Sequence, residues 1–189
     1  MEKVAIEVIK ANESHVDGIA KVCTDGYWAT YGSSHPEGYI HRIVDEFYNR
    51  NRILKEVKET NRYWGGYFVA VDGDKVLGAG GGGLTDEATG EVYVLYMDPD
   101  RKNEGIGTQI LNAITAQQKS FGAMKQWVSV QKGNTMGIPF YEAKGFTFQF
   151  EKQGYGNEEG GNFIVFRQKT PSSVVCMTKL NDRWEMNVG

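Results

Sequence analysis

The sequence predicts an α/β or α+β mixed sheet with helices on its faces, and three observations predict it. Short segments of alternating or β-branched residues recur, from Val4, Ile6 and Val8 near the start to Phe163 to Arg167 near the end. Between them lie stretches with apolar residues at i, i+3 and i+4, the helical period. The resulting order is strand, helix, helix, two hairpin strands, strand, helix, strand, helix, strand, strand, which layered helices on one sheet accommodate. A chain of 189 residues is the size of one domain. Residues 1–170 are expected to form it, with 171–189 as a C-terminal tail whose apolar run, Val174 to Met177, has the makings of an extra strand.

Val4, Ile6 and Val8 alternate with polar residues and start the sheet. Asn12 or Ser14 can cap a helix reaching about Trp28, with Ile19, Val22 and Cys23 on one face. Tyr31 to Pro36 is a turn, and Pro36 suits the first turn of the next helix. That second helical segment runs from Glu37 to about Glu59, and its charged end predicts a break or exposure. Tyr67 to Val71 and Lys75 to Gly80 flank Asp72-Gly73-Asp74 and form a hairpin. The glycines Gly80 to Gly83 either break regular pairing or leave room for something close to the backbone. Glu91 to Met97 (EVYVLYM) is the best central strand. Thr108 to about Phe121 is an amphipathic helix through Ile110, Leu111 and Ile114, ended by Gly122. Lys125 to Val130 is the next strand. A shorter helix after Gly133-Asn134 closes at Gly145. Phe146 to Phe150 and Phe163 to Arg167 finish the sheet, joined by a loop, Gly154 to Gly161, rich in glycine and acid.

Composition excludes several function classes. Hydrophobic residues at 40% and charged residues at 24% are too apolar a mix for a disordered chain. A net charge of -3 and a pI near 5.7 count against a general nucleic-acid binder. No apolar run approaches the roughly 18 residues of a membrane helix, and the first residues hold no signal-peptide core. The two cysteines, Cys23 and Cys176, stand in no metal or disulfide framework, nor do His15, His35 and His41 follow a metal spacing. A cytoplasmic protein with no metal, no membrane partner and no nucleic-acid partner is the expectation.

The chemistry lies between Val92 and Phe146. The strand is followed by DPDRKNEGIGTQIL, which turns into a helix. Gly105 and Gly107 remove side chains where that helix begins, so backbone N–H groups can point outward. The first turn leaves about four N–H groups unpaired, and the helix dipole adds positive charge. The result suits a diphosphate, with Arg101 and Lys102 as mobile cations beside it. It is not a Walker loop, because the GK[ST] ending is missing. A glycine-tolerant turn with no ligand is the plain alternative.

The run LYMDPDRKNEGIGTQIL, then a strand, then NTMGIPFYEAKGF closely resembles the GNAT superfamily of acyl-CoA-dependent N-acyltransferases. The specific motifs cover about Glu91 to Phe146, and the element order agrees over nearly the whole chain. The resemblance implies a GNAT-like fold: a mostly antiparallel sheet of about six to seven strands, splayed at the cofactor site and flanked by about four helices. It implies that acetyl-CoA is the co-substrate. The pyrophosphate loop [RQ]-x-x-G-x-[GA] falls on Lys102, Asn103, Glu104, Gly105, Ile106 and Gly107, with Thr108 the next amide. Lysine stands where the family has Arg or Gln, and Asn103 where a further glycine is common. The splayed strand would pair through Leu95, Tyr96 and Met97 with the pantetheine arm, and Asn134 would hydrogen-bond that arm.

The family protonates the leaving thiolate with a tyrosine that falls on Tyr141. A thiol with pKa near 8.5 leaves more readily when protonated. Packing beside Phe140 is the alternative role for Tyr141. Glu91 is the best general-base candidate, although a solvated carboxylate at a strand start is its simpler reading. Glu104 is expected to face solvent or pair with Arg101. His35, His41, Tyr27, Trp28 and Tyr31 lie near the acceptor side, where surface and core roles compete with substrate contact.

The function so implied is an N-acetyltransferase acting on a primary amine of a small molecule or peptide, with a homodimer left open. The acceptor groove would lie between 27–47 and 154–161, where Glu37, Asp45, Glu46, Glu158 and Glu159 could attract a cationic amine. A polyamine-type small-amine acetyltransferase is one alternative, since the HPEGY segment and long second helix are loosely similar to that subgroup. A non-catalytic acyl-CoA-binding regulatory module is another, which an intact Tyr141 disfavours. An enzyme acting on charged tRNA fits poorly with the acidic pI.

Overall fold

A computed structural model describes residues 5–153, 162–169, 176–180 and 183–187. Strand β1 (Glu7–Lys10) opens the sheet, a few residues later than the alternation from Val4 suggests. Asn12 does act as a cap, but of a short 3-10 turn, Glu13–His15, that feeds α1 (Val16–Tyr31). The second helical segment is broken, as its charged end predicts. α2 (Glu37–Phe47) stops at Tyr48, and Asn49 caps α3 (Arg50–Lys58) by accepting from the Arg52 amide.

β2 (Tyr67–Asp72) and β3 (Lys75–Leu84) form the hairpin, and β4 (Thr89–Met97) follows. α4 (Ile106–Ser120) leads to β5 (Lys125–Gln131), and α5 (Gly137–Ala143) to β6 (Thr147–Gln153) and β7 (Asn162–Lys169). Gly122 and Gly145, both at positive φ, end α4 and α5 where the sequence places those stops. A separate two-stranded sheet pairs β8 (Cys176–Leu180) with β9 (Arg183–Asn187).

The main sheet has seven strands in the order β1-β2-β3-β4-β5-β7-β6. Only β4 and β5 run parallel. α4 covers one face, through a core of Ile106, Ile110, Leu111 and Ile114 against Val92, Val128 and Phe166. α1 and α3 cover the other, around Ile19, Cys23, Ile53 and Val69. α2 joins α1 through Tyr27, Tyr31, Tyr39 and Ile40.

The glycine run does not break pairing. β3 continues through Gly80 to Gly83 to Leu84, with one bulge at which Tyr93 of β4 has no partner. The second alternative holds: a Cβ at Gly82 would meet the Glu91 carbonyl oxygen at 2.0 Å and Gln118 Nε2 at 2.8 Å. Among the described residues no helix is long and apolar enough to cross a membrane. Nor do they include a group of three or more His, Cys, Asp or Glu able to hold a metal ion.

Candidate active site

β4 and β5 share ladder pairs only from Thr89–Lys125 to Val92–Val128. Past Val92 the two strands part. The wedge opens into a cleft of about 650 Å³, lined by the far ends of both strands, the 101–108 loop, Tyr31, Asn134 and Tyr141.

The loop is held open by two left-handed residues, Asn103 at φ 61 and Gly105 at φ 74. Glycine adopts that conformation freely, and asparagine is among the few other residues that do. Asparagine therefore meets at 103 the backbone need that a further glycine would meet. Gly105 gives α4 no side-chain cap. The first-turn amides of Ile106, Gly107 and Thr108 consequently have no helical partner, and all three residues line the cleft. Left-handed residues alternating with ordinary ones make a concave anion nest. The helix dipole adds to it, so the cradle fits a diphosphate.

Arg101 is not the mobile cation expected from the sequence. Its Nε and Nη2 donate to Glu104 at 2.7 and 2.8 Å, and Asp72 lies 3.8 Å away. Glu104 thus pairs with Arg101, one of its two expected fates. Lys102 lines the cleft with no ion pair among the described residues.

Gly107 serves packing as well as access. A Cβ there would meet Met97 Cε at 3.0 Å and Phe140 Cε2 at 3.4 Å. Leu95 and Met97 pack toward α4. The Tyr96 ring turns the other way, its centroid 5.9 Å from those of Tyr27 and Tyr48. All three residues line the cleft. Asp98 N–H donates to the Leu77 carbonyl, so by the alternation of an antiparallel ladder Tyr96 spends its backbone on β3, and Leu95 and Met97 turn theirs to the parted side.

Tyr141 is 8% exposed and sits edge-on between Phe140 and Phe146, at centroid distances of 5.1 and 5.3 Å. Burial, with the nearby Tyr31, pushes its phenol well above the ordinary value, so it stays protonated at neutral pH. Asn134 is already engaged. Its Oδ1 accepts from the Gly137 amide at 2.8 Å, capping α5, and its Nδ2 donates to Tyr31 Oη at 3.3 Å.

Glu91 pairs laterally with Trp127, one residue below the cleft lining. Ser129, which does line the cleft, donates to Glu91 Oε1 at 3.5 Å. Burial raises the Glu91 carboxyl, against the lowering pull of Lys152 and Ser129. Ser129 and Lys152 are absent from the sequence reading. The alternation in KQWVSV puts Ser129 on the Trp127 face, but only the β4–β5 register brings it to Glu91.

His35 bonds through its ring to Ser34 and Gln131 and stacks on Tyr39. His41 meets Trp28 edge-on at 4.9 Å. His15 accepts the Asn12 amide through Nδ1. Glu158, Glu159 and the rest of the 154–161 loop lie outside the described residues.

The acetyltransferase (GNAT) family matches residues 23–146. Spermidine N(1)-acetyltransferase of Thermoplasma acidophilum is 24% identical over 162 residues, 85% of this chain and 96% of its own. Mycothiol acetyltransferase of Geodermatophilus obscurus is 36% identical over 88 residues, 43% of this chain and 29% of its own. The chain spans less than a third of the length of the mycothiol acetyltransferases it matches, 29% and 28% for two of them. Among solved structures, PaiA N-acetyltransferase of Thermoplasma acidophilum in complex with coenzyme A shares the fold. Its TM-score is 0.75 at 20% identity, over 87% of this chain and 99% of that one.

Proposed function

The chain belongs to the GNAT acetyltransferase family, and from that premise we propose that it transfers the acetyl group of acetyl-CoA directly to a primary amine. The observation that carries this reading is the wedge between β4 and β5, with an uncapped helix N-terminus and a buried phenol on the same lining. Acetyl-CoA supplies an activated thioester, so that an N–C bond forms as the C–S bond breaks.

The chain's own residues then divide the work. The amides from Asn103 to Thr108 hold the diphosphate, with Lys102 adding charge. At the parted end of β4, Leu95 and Met97 offer backbone to an extended arm, as an edge strand offers it to another strand, while Tyr96 between them is tied to β3. Asn134 can join through its second Nδ2 hydrogen, since one goes to Tyr31. Glu91 takes the amine proton through Ser129 or a water, because its raised pKa makes it a better base than an ordinary carboxylate. Tyr141 donates its proton to the departing sulfur.

The test is amine-dependent thiol release from acetyl-CoA, run against small amines and peptides. Thiol release that depends on the amine is the expected outcome. CoA binding without any amine-dependent release would instead favour the regulatory binding module.

A further inference from the structure

Glu91, Trp127 and Arg167 form one lateral row across three strands: Glu91 pairs with Trp127, and Trp127 with Arg167. Their chain neighbours Val92, Val128 and Phe166 belong to the core beneath α4. Alternate residues of a strand point to opposite faces, so the row lies on the face away from α4. Neighbouring strands are about 4.8 Å apart, which puts Arg167 about 10 Å from Glu91 at the backbone.

The row changes character from end to end. At one end stands a single half-buried carboxylate. In the middle the Trp127 indole has the Phe150 ring at 6.1 Å. At the other end the Arg167 guanidinium lies 5.6 Å from the indole centroid, and the Lys125 ammonium 6.0 Å. Lys132, just past β5, is held by Glu151. Arg167, Lys125 and Lys152, by contrast, have no ion pair among the described residues. α1 packs against β3 and β4, and Tyr93 and Phe150 remain 47% and 48% exposed.

We propose that this row is the acceptor groove, and that the acceptor is an amine carrying an anionic group about 10 Å from its nitrogen: a short peptide with a free carboxylate. The proposal rests on the acetyltransferase reading for the identity of the reacting end. The amine meets Glu91 and Ser129, the stem crosses Trp127 and Phe150, and the anion reaches Arg167. Three extended residues span about 10 Å, so a tripeptide matches the row. A polyamine would instead place a second ammonium among Arg167 and Lys125, where like charge repels it. The substrate named for the Thermoplasma relative is therefore not the one this face suits.

Trialanine, trialanine amide and spermidine are the probes, used as acceptors with acetyl-CoA at low and high salt. We expect kcat/KM for the free acid to exceed that for the amide by about tenfold, as a charge-assisted hydrogen bond allows. Spermidine should trail both. The acid preference should vanish in Arg167→Gln, persist largely in Arg167→Lys, and shrink at high salt. Equal use of acid and amide, better use of spermidine, or a preference that survives Arg167→Gln would overturn the proposal. If no amine is acetylated, the activity reading fails while this one is still decided by calorimetry on the CoA complex. Tighter binding of the acid, lost in Arg167→Gln, supports the row, and equal or undetectable binding of acid and amide removes it.

Discussion

At Tyr141 burial keeps the phenol protonated, which the proposed proton transfer to the departing sulfur requires. The side chain sits between two phenylalanine rings, so Tyr141→Phe should preserve packing and remove only the donor. We expect kcat to fall about 100-fold with CoA affinity unchanged, which single-turnover kinetics and calorimetry would check. Because the phenol is pushed upward, the pH–rate profile should show no alkaline limb from Tyr141 below its ordinary pKa. As the proposed base, Glu91 would set the acid limb. Its carboxyl is raised by burial, and the base form is needed, so the rate should climb as pH rises through a value above that of an ordinary glutamate. Lys152 opposes that shift. Lys152→Gln should therefore move the limb to higher pH, and an unmoved limb in kcat/KM would detach Glu91 from the proton transfer.

In the loop that opens α4, backbone shape matters more than side-chain identity. Gly105 has φ 74 and open space around its Cβ position, so Gly105→Ala meets strain without a clash. That strain is worth about 1–2 kcal/mol. Relieving it would turn the amides away from the anion, so CoA affinity should drop about tenfold by calorimetry. Asn103→Gly should keep affinity, whereas Asn103→Val should lose it. Equal affinities for all three variants would separate the cradle from the ligand. The sequence made this loop readable because glycine spacing and helix periodicity are local signals. The glycines of β3 were harder to read, since local propensity treats four in a row as a breaker. What decides them is tertiary: Gly82 and Gly90 clear a path for the Gln118 side chain, whose atoms would lie 2.8 and 2.1 Å from an added Cβ at those positions. The tie between Arg101 and Glu104 was one of two fates open to Glu104 from the sequence, since two charges three residues apart pair only in some turns.

Across the whole molecule, the parting of β4 from β5 makes the cleft and also leaves the sheet joined by only four ladder pairs at that seam. The mixed sheet, its helices and most strand limits follow from periodicity. The insertion of β7 between β5 and β6, and hence the row through Trp127 and Arg167, depends on pairing distant in sequence that no local pattern encodes. A second connection reinforces the seam. Gln118 Nε2 donates to the Glu91 and Gly83 carbonyls at 2.8 and 3.3 Å, on the β4 side. Its Oε1 accepts from Gln126 Nε2 at 2.9 Å, on the β5 side, and Gln126 Oε1 accepts in turn from Gln168 of β7 at 2.8 Å. Gln118 and Gln126 are fully buried, so no water replaces a missing partner. Gln118→Leu keeps the volume but strands Gln126 Nε2 and removes the donor to two carbonyls. Each buried group left unsatisfied costs about 1–3 kcal/mol, and for a chain of this length each kcal/mol lowers Tm by about 2–4 °C. The variant should melt roughly 5–10 °C below the parent by calorimetry. Gln117→Leu is the control on the preceding residue, since the Gln117 side chain donates to the Gly65 carbonyl, off the seam. If the relay also fixes the angle of the wedge, saturating CoA should raise the Tm of Gln118→Leu less than that of the parent. Equal melting of Gln118→Leu and the parent would show that the four ladder pairs hold the seam by themselves.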